Sequence, residues 1–301
     1  GPHLNATWTW APTALDRMAV SRINRLWFDA LVGICAHVRR GGGGLTPSDI
    51  VPARLSQQQI DGLQSRFPVA DVLPLTPLQQ GLLFHAGIAN SSGDDVYAVQ
   101  FDIALSGTLD VDRLRDAVQA VVARHPHLAA RFSDQFEHPL QIIPAEPVAP
   151  WSYIELSAAT MDCDVEEQIE QICIVERAAV CDLAEEPAFR AALIRVADDR
   201  YRFVLTNHHI VLDGWSMPIL MQEIFACYHG VRLPAATSYR SFVTWLSERD
   251  HDAAHAVWRA ELAGFETPIL VGPQQKLQFG RRSVDLFRVP AVAVALVDEA
   301  D

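Results

Sequence analysis

The run from Tyr201 to Tyr228 constrains this chain more than any other stretch. It opens as a strand, Tyr201 to Thr206, with Phe203, Val204 and Leu205 at its centre. It passes through Asn207-His208-His209-Ile210-Val211-Leu212-Asp213-Gly214-Trp215 and resumes as an apolar helix, Met217 to Tyr228. Two adjacent histidines therefore stand where a strand ends. Neighbouring side chains on a strand point to opposite faces, so one imidazole is expected in the core and the other toward a cleft. Asp213-Gly214 is expected to turn the chain sharply, because glycine tolerates backbone angles that other residues avoid. A base at a strand end facing a cleft suits proton transfer.

The rest of the chain alternates helical and strand patterns without βαβ regularity or a fixed repeat. Leu4 to Trp10 alternates like a strand. Met18, Ile23, Leu26, Trp27, Ala30, Leu31, Ile34 and Cys35 recur at three and four, one face of a helix. That helix is expected to end at Arg39-Arg40, before the four glycines Gly41 to Gly44. Gly41 to about Phe67 reads as a linker with one short helix, Gln57 to Gln64. Thr76 is a candidate N-cap with Pro77 at the first turn of the next helix. Tyr97 to Leu105 reads as a strand, Asp110 to Val122 as a helix, Phe132 to Ile143 as a hairpin and Pro144 to Pro150 as a loop. Val165 to Val180 reads as a helix, and Phe189 to Val196 pairs with the Tyr201 strand across Asp198-Asp199. Helices follow at Ser241 to Asp250 and Ala253 to Leu262; strands at Ile269 to Val271 and Ser283 to Val289 and a helix from Val292 close the pattern. The expected class is α+β.

A formal net charge of −13 argues against binding nucleic acid through its phosphates and against attraction to anionic membranes. The five cysteines form no CxxC pair, and no secretory leader is evident, which suggests reduced thiols in a cytoplasmic setting. No apolar stretch reaches the ~18–20 residues of a membrane span. The chain begins Gly-Pro rather than Met, as a piece of something longer would.

Several stretches together resemble one family, the condensation domains of nonribosomal peptide synthetases, within the chloramphenicol acetyltransferase-like superfamily. His208-His209-x-x-x-Asp213-Gly214 matches the superfamily signature HHxxxDG. Leu75-Thr76-Pro77-Leu78-Gln79-Gln80-Gly81-Leu82-Leu83-Phe84-His85 is similar to the first condensation motif. Arg124-His125-Pro126-His127-Leu128-Ala129-Ala130-Arg131-Phe132 resembles the second, usually RHxxLRTxF, with Ala129 and Ala130 in place of the usual Arg and Thr. Ser238 to Trp245 is similar to the fourth, and Ala256 to Gly264 to the helix that follows. Each motif is weak alone; four in order, with suitable gaps, are specific. Residues 1–50 also resemble the end of an epimerization domain and its exit linker, an order that suits a condensation domain taking a donor that ends in a D-residue.

The resemblance implies a lobe of a two-lobed fold. Residues 1–40 would be the remnant of an epimerization-type domain, 41–68 a linker, 69–265 the N-terminal lobe and 266–301 the start of a truncated C-terminal lobe. The implied reaction is attack of a carrier-bound aminoacyl amine on a carrier-bound thioester. Both substrates would arrive on 4'-phosphopantetheine arms of upstream and downstream carrier proteins, with no cofactor bound directly by this chain. With half of the cleft absent, the chain alone is expected to be inactive, and a homodimer is one way to cover Trp8, Trp10, Leu26 and Trp27; docking on the lobe is the other.

His209 is the candidate catalytic group, as base or as a positioner of the amine. His208 is read as structural. Asp213 either orients His209, as a carboxylate does in a triad, or forms a buried ion pair with Arg124, the favoured reading by resemblance. Gly214 either admits substrate closely or completes the turn. His125 with His127, and His251 with His255, have metal-like spacing but no acidic or Cys companion, so no metal is expected. Ser216 is read as a cap of the helix at Met217 rather than a nucleophile. The rivals are another acyltransferase of the superfamily and a degenerate condensation-like module that recruits a partner.

Overall fold

A computed structural model describes residues 4–39, 43–89, 95–156 and 165–267. Two sheets organise it. The larger joins β2 (Ala98–Ser106), β7 (Arg200–His208), β6 (Phe189–Ala197) and β5 (Trp151–Glu155) in that spatial order. β2–β7 and β7–β6 are antiparallel, and β5 lies parallel to β6. The smaller sheet has β1 (Val69–Pro74), β4 (Leu140–Pro144) and β3 (Arg131–Ser133), with β4 central and antiparallel to both.

Helices cover both faces of the larger sheet. Phe203 and Leu205 of β7 pack with Leu114, Val118 and Val121 of α4 (Val111–Arg124) and with Leu220 and Ile224 of α6 (Ser216–Tyr228). Val204, one residue out of phase, packs with Ile169 and Cys173 of α5 (Val165–Ala179). β7 is thus buried on both faces, which explains its unbroken apolar run. Fully burying each such side chain contributes about 1.5–3 kcal/mol, so β7 and its two helix layers form the centre of the described core.

The segment before β1 is packed rather than loose. Ser56 caps α2 (Gln57–Arg66) in a reciprocal capping box with Gln59. Ile60 and Leu63 of α2, with Ile50 and Leu55, bury against Val72, Leu140 and Ile142. α2 therefore seats on the smaller sheet. α3 (Pro77–Ala89) follows β1, as Thr76-Pro77 predicts. α7 (Tyr239–Ser247) and α8 (His251–Glu261) close the described lobe. Arg240 ties α7 back by an ion pair with Asp71 at 2.9 Å and a bond to the Asp49 carbonyl.

Three expectations change. Leu4 to Trp10 is not a strand. A strand needs a ladder partner for its N–H and C=O groups, and none lies beside it among the described residues. Trp8 instead sets its ring edge-on to Trp27, 6.1 Å between centroids, and donates its indole N–H to Asn24 at 2.8 Å. β1 and β5 are strands that periodicity alone missed. β1 is only six residues long and ends in a proline; β5 borders the stretch read as a Pro-rich loop. Finally, α1 (Arg17–Arg39) buries only Val20, and Trp8, Trp10, Leu26 and Trp27 stay exposed, so they do not dock on the described lobe. The strands and last helix read after Pro268 lie outside the described residues.

Candidate active site

The strand-end histidines part as alternation requires. His208 ends β7 fully buried, while His209 is half-buried at the surface. The His209 backbone N–H donates to the Tyr97 carbonyl at 2.9 Å, which carries the β2–β7 ladder one step past the strand. Its ring Nδ1 lies 3.0 Å from the Leu212 carbonyl. A carbonyl oxygen can only accept, so Nδ1 carries a proton, and in the neutral ring Nε2 then holds the lone pair. That is the form a base or an amine-positioning group needs.

His208 is assigned by the same logic. The Ile210 N–H donates to its Nδ1 at 3.0 Å, so its proton sits on Nε2, 3.1 Å from Asp95 Oδ2. Asp95 also accepts the Tyr97 N–H at 2.9 Å. Burial works against its charge, yet the bonds from His208 and Tyr97 outweigh that and hold its carboxyl below the usual range.

The first motif supports the same loop. Thr76 and Gln79 cap α3 reciprocally, at 3.0 and 3.3 Å. Gln79 then donates to the Ile210 carbonyl at 2.9 Å and accepts from Gln141 at 3.3 Å. The residue after His209 is therefore held on its N–H by His208 and on its C=O by Gln79.

Asp213 does neither of the things expected of it. The Leu212 carbonyl, not the Asp213 carboxylate, receives the His209 ring N–H. Arg124 pairs instead with Glu223 of α6, Nε to Oε2 at 3.1 Å, and His125 joins the same carboxylate at 2.6 Å. The reason is position: Glu223 faces the end of α4 across a packed helix pair, whereas Asp213 sits exposed on the turn. Asp213 closes the turn into α6, accepting the N–H of its first residue, Ser216, at 2.8 Å. Bonds from the Ser216 hydroxyl and N–H, with nearby His209 contributing less, hold its carboxyl low. Ser216 is therefore the first residue of α6 rather than its cap, and its N–H bonds Asp213.

Gly214 also changes meaning. Its φ is not positive, so the turn does not require glycine. An added Cβ would meet nothing within 4 Å. What glycine leaves there is open space on the exposed turn. Trp215 next to it is 89% exposed. His251 and His255 lie exposed on α8, apart from this loop. His127 stacks on Tyr239 at 4.6 Å and 23°. Ala129 and Ala130, where the second motif departs from pattern, are buried in the main core. Two surface hollows, one between α2 and the β3–β4 hairpin and one where β2 and β7 meet α5, are not lined by His209; the chemistry argues for the histidine loop instead.

A family model described as Condensation domain matches residues 69–288. The chain belongs to the condensation domain family. A stretch of the linear gramicidin synthase of Brevibacillus parabrevis is 32% identical over 283 residues, covering 90% of this chain and 4% of that protein. Bacitracin synthase 3 of Bacillus licheniformis is 32% identical over 276 residues, covering 87% and 4%. The chain thus spans a small part of the curated relatives it matches. Among solved structures, the starter condensation domain of the rhizomide synthetase RzmA superposes with a TM-score of 0.54 at 18% identity, over 66% of this chain and 50% of that one. The condensation domain of the Monacolin K polyketide synthase MokA gives 0.53 at 20%, over 64% and 43%. The α+β condensation fold expected from the motifs is the fold observed.

Asp95, Glu223 and Tyr97 were not singled out from the sequence. Glu223 had a readable signal, a lone acid inside the apolar run Met217 to Tyr228. Asp95 had none. No helix among the described residues is long and apolar enough to cross a membrane.

Proposed function

We propose that this chain is part of a nonribosomal peptide synthetase condensation domain that joins a carrier-bound donor thioester to the amine of a carrier-bound aminoacyl acceptor. The amine nitrogen attacks the thioester carbonyl, a C–N bond forms, the C–S bond breaks, and the thiol leaves with a proton. The observation that carries this is the His209 side chain: Nδ1 bonded to the Leu212 carbonyl, which in the neutral ring leaves the Nε2 lone pair free, and the residue half-buried at the end of β7. Nε2 can take the amine proton or hold the amine in line. His208 and Arg124 serve the scaffold, and Asp213 serves the turn. Membership of the family, and relatives named as gramicidin and bacitracin synthases, support the reading. Core positions at Ala129 and Ala130 favour it over a degenerate binding module, since a change there is a matter of packing.

The finer reading is a donor ending in a D-residue, an epimerization remnant at 1–40, and a chain that condenses only when a facing lobe and two carrier proteins complete the cleft. The test is turnover of loaded carriers by the longer polypeptide. His209→Ala should lower the rate by about 10²–10⁴-fold with carrier binding intact. Product formation within about twofold of the parent, with that variant folded, overturns it. Paired D- and L-donors test the donor reading, and the 301-residue chain alone should give no product.

A further inference from the structure

We propose that Asp95 is a positioning residue for His209, acting through His208 on one side and Tyr97 on the other; this rests on His209 being the reacting group. Asp95 stands just ahead of β2, outside every motif, with its side chain 2% exposed. Two N–H groups converge on it, His208 Nε2 on one oxygen at 3.1 Å and the Tyr97 amide on the other at 2.9 Å. Each leads to the His209 backbone. Through the His208 ring, Asp95 fixes the Ile210 N–H, which follows His209. Through Tyr97, it fixes the carbonyl that accepts the His209 N–H at 2.9 Å. The Asp95 carbonyl also accepts the Ala98 N–H at 3.2 Å, which holds the start of β2. One carboxylate therefore clamps the backbone on both sides of the proposed catalytic ring.

The arrangement needs a carboxylate, not merely a polar residue of that size. An asparagine offers one acceptor oxygen to two converging donors. Turned one way, its NH₂ faces His208 Nε2. The ring must then move its proton to Nδ1, where it confronts the Ile210 N–H. Turned the other way, its NH₂ faces the Tyr97 amide and pushes away the segment whose carbonyl holds His209. Either choice displaces the His209 main chain, and a misplacement of about 1 Å at a reacting group can cost about 10²-fold.

The test compares Asp95→Asn with the parent by two readouts. In the ¹⁵N-labelled 301-residue chain, long-range imidazole ¹⁵N–¹H spectra should show His208 as the Nε2–H tautomer. In the variant they should show that tautomer lost or the His209 resonances shifted. In the longer polypeptide, kcat should fall by about tenfold or more with the acceptor KM within about twofold. A purely structural role would change the melting temperature without moving the His209 resonances or splitting kcat from KM. Should the asparagine variant fail to fold, Asp95→Glu keeps two acceptors on a longer stem: it should keep the His208 Nε2–H tautomer yet shift the His209 resonances and lower kcat. A parent His208 in the Nδ1–H form, or a folded variant with unchanged His209 resonances and kcat, overturns the proposal. His209→Ala in the same polypeptide separates the two readings: if it leaves turnover intact, His209 is not the reacting group, while the tautomer result still judges the clamp.

Discussion

His127 should make the lobe acid-sensitive, and replacing it with phenylalanine should remove that sensitivity. The ring lies flat on Tyr239, 4.6 Å between centroids, and its Nδ1 is buried without a hydrogen-bond partner among the described residues. Burial, with the neighbouring His125 adding to it, pushes its pKa from 6.5 to about 4. An unfolded chain therefore takes up the proton as pH falls through the ordinary histidine range, and the folded chain does so only near 4. Stability from the neutral ring is complete above the unfolded value, drains as pH falls between the two, and is gone below the folded one. Linkage over that gap gives a loss of about 2.5 kcal/mol at about pH 4.5 relative to pH 7.5. His127→Phe keeps the stacked ring and deletes the nitrogens. Near neutrality it should lie within about 1 kcal/mol of the parent, since an orphaned polar atom is removed. At about pH 4.5 it should be more stable by about 2.5 kcal/mol, roughly 5–10 °C in melting temperature for a unit of this size. Thermal unfolding of both chains across this range decides it, because every other acid titrates in both and cancels. A melting-temperature difference that stays flat with pH refutes the reasoning.

Asp213→Ala should cost about 1 kcal/mol in urea unfolding, the usual net worth of one bond to a backbone N–H; a loss of about 3–5 kcal/mol would restore the Arg124 ion pair that the structure denies. Glu223→Gln should cost about 2–3 kcal/mol, because Arg124 is then left part-buried without its counter-charge. Ser56→Ala should cost about 1 kcal/mol through the α2 capping box, and hydrogen exchange should show the loss confined to α2 and the edge of the smaller sheet.

Much of this fold was readable because its signals are local. The β7–α6 run, the Thr76-Pro77 start of α3 and the amphipathic α4 each declare themselves through burial period or capping chemistry within a few residues. β1 and β5 did not, since a short strand takes its identity from a partner far along the chain, here β4 and β6. The alternation of Leu4 to Trp10 looked like a strand for the same reason in reverse: the period was present and the partner was not. At the site, the split between His208 and His209 followed from strand geometry, whereas the partner of Arg124 did not. Arg124 and Glu223 are 99 residues apart, and only the packing of α4 on α6 brings them together.

The histidine loop explains why so short a motif can mark a site and yet not build one. Within the motif itself, the structure supplies one bond to the His209 ring, from Leu212, and one bond across the turn, to Asp213 from Ser216. Much else that fixes the ring comes from outside: Tyr97 holds its amide, Asp95 holds His208, and Gln79 holds the next carbonyl. These groups sit on the approach to β2 and on α3, and none bonds the His209 ring: Tyr97 and Gln79 hold main chain directly, and Asp95 reaches it through the His208 ring. Main-chain anchoring leaves Nε2 free while removing the freedom of the peptide that carries it, the arrangement a group must have if it is to meet a substrate at fixed geometry. It follows that substitutions at Asp95 or Gln79 should degrade placement before they degrade stability, and that the motif histidine should tolerate changes at Asp213 better than changes at Asp95.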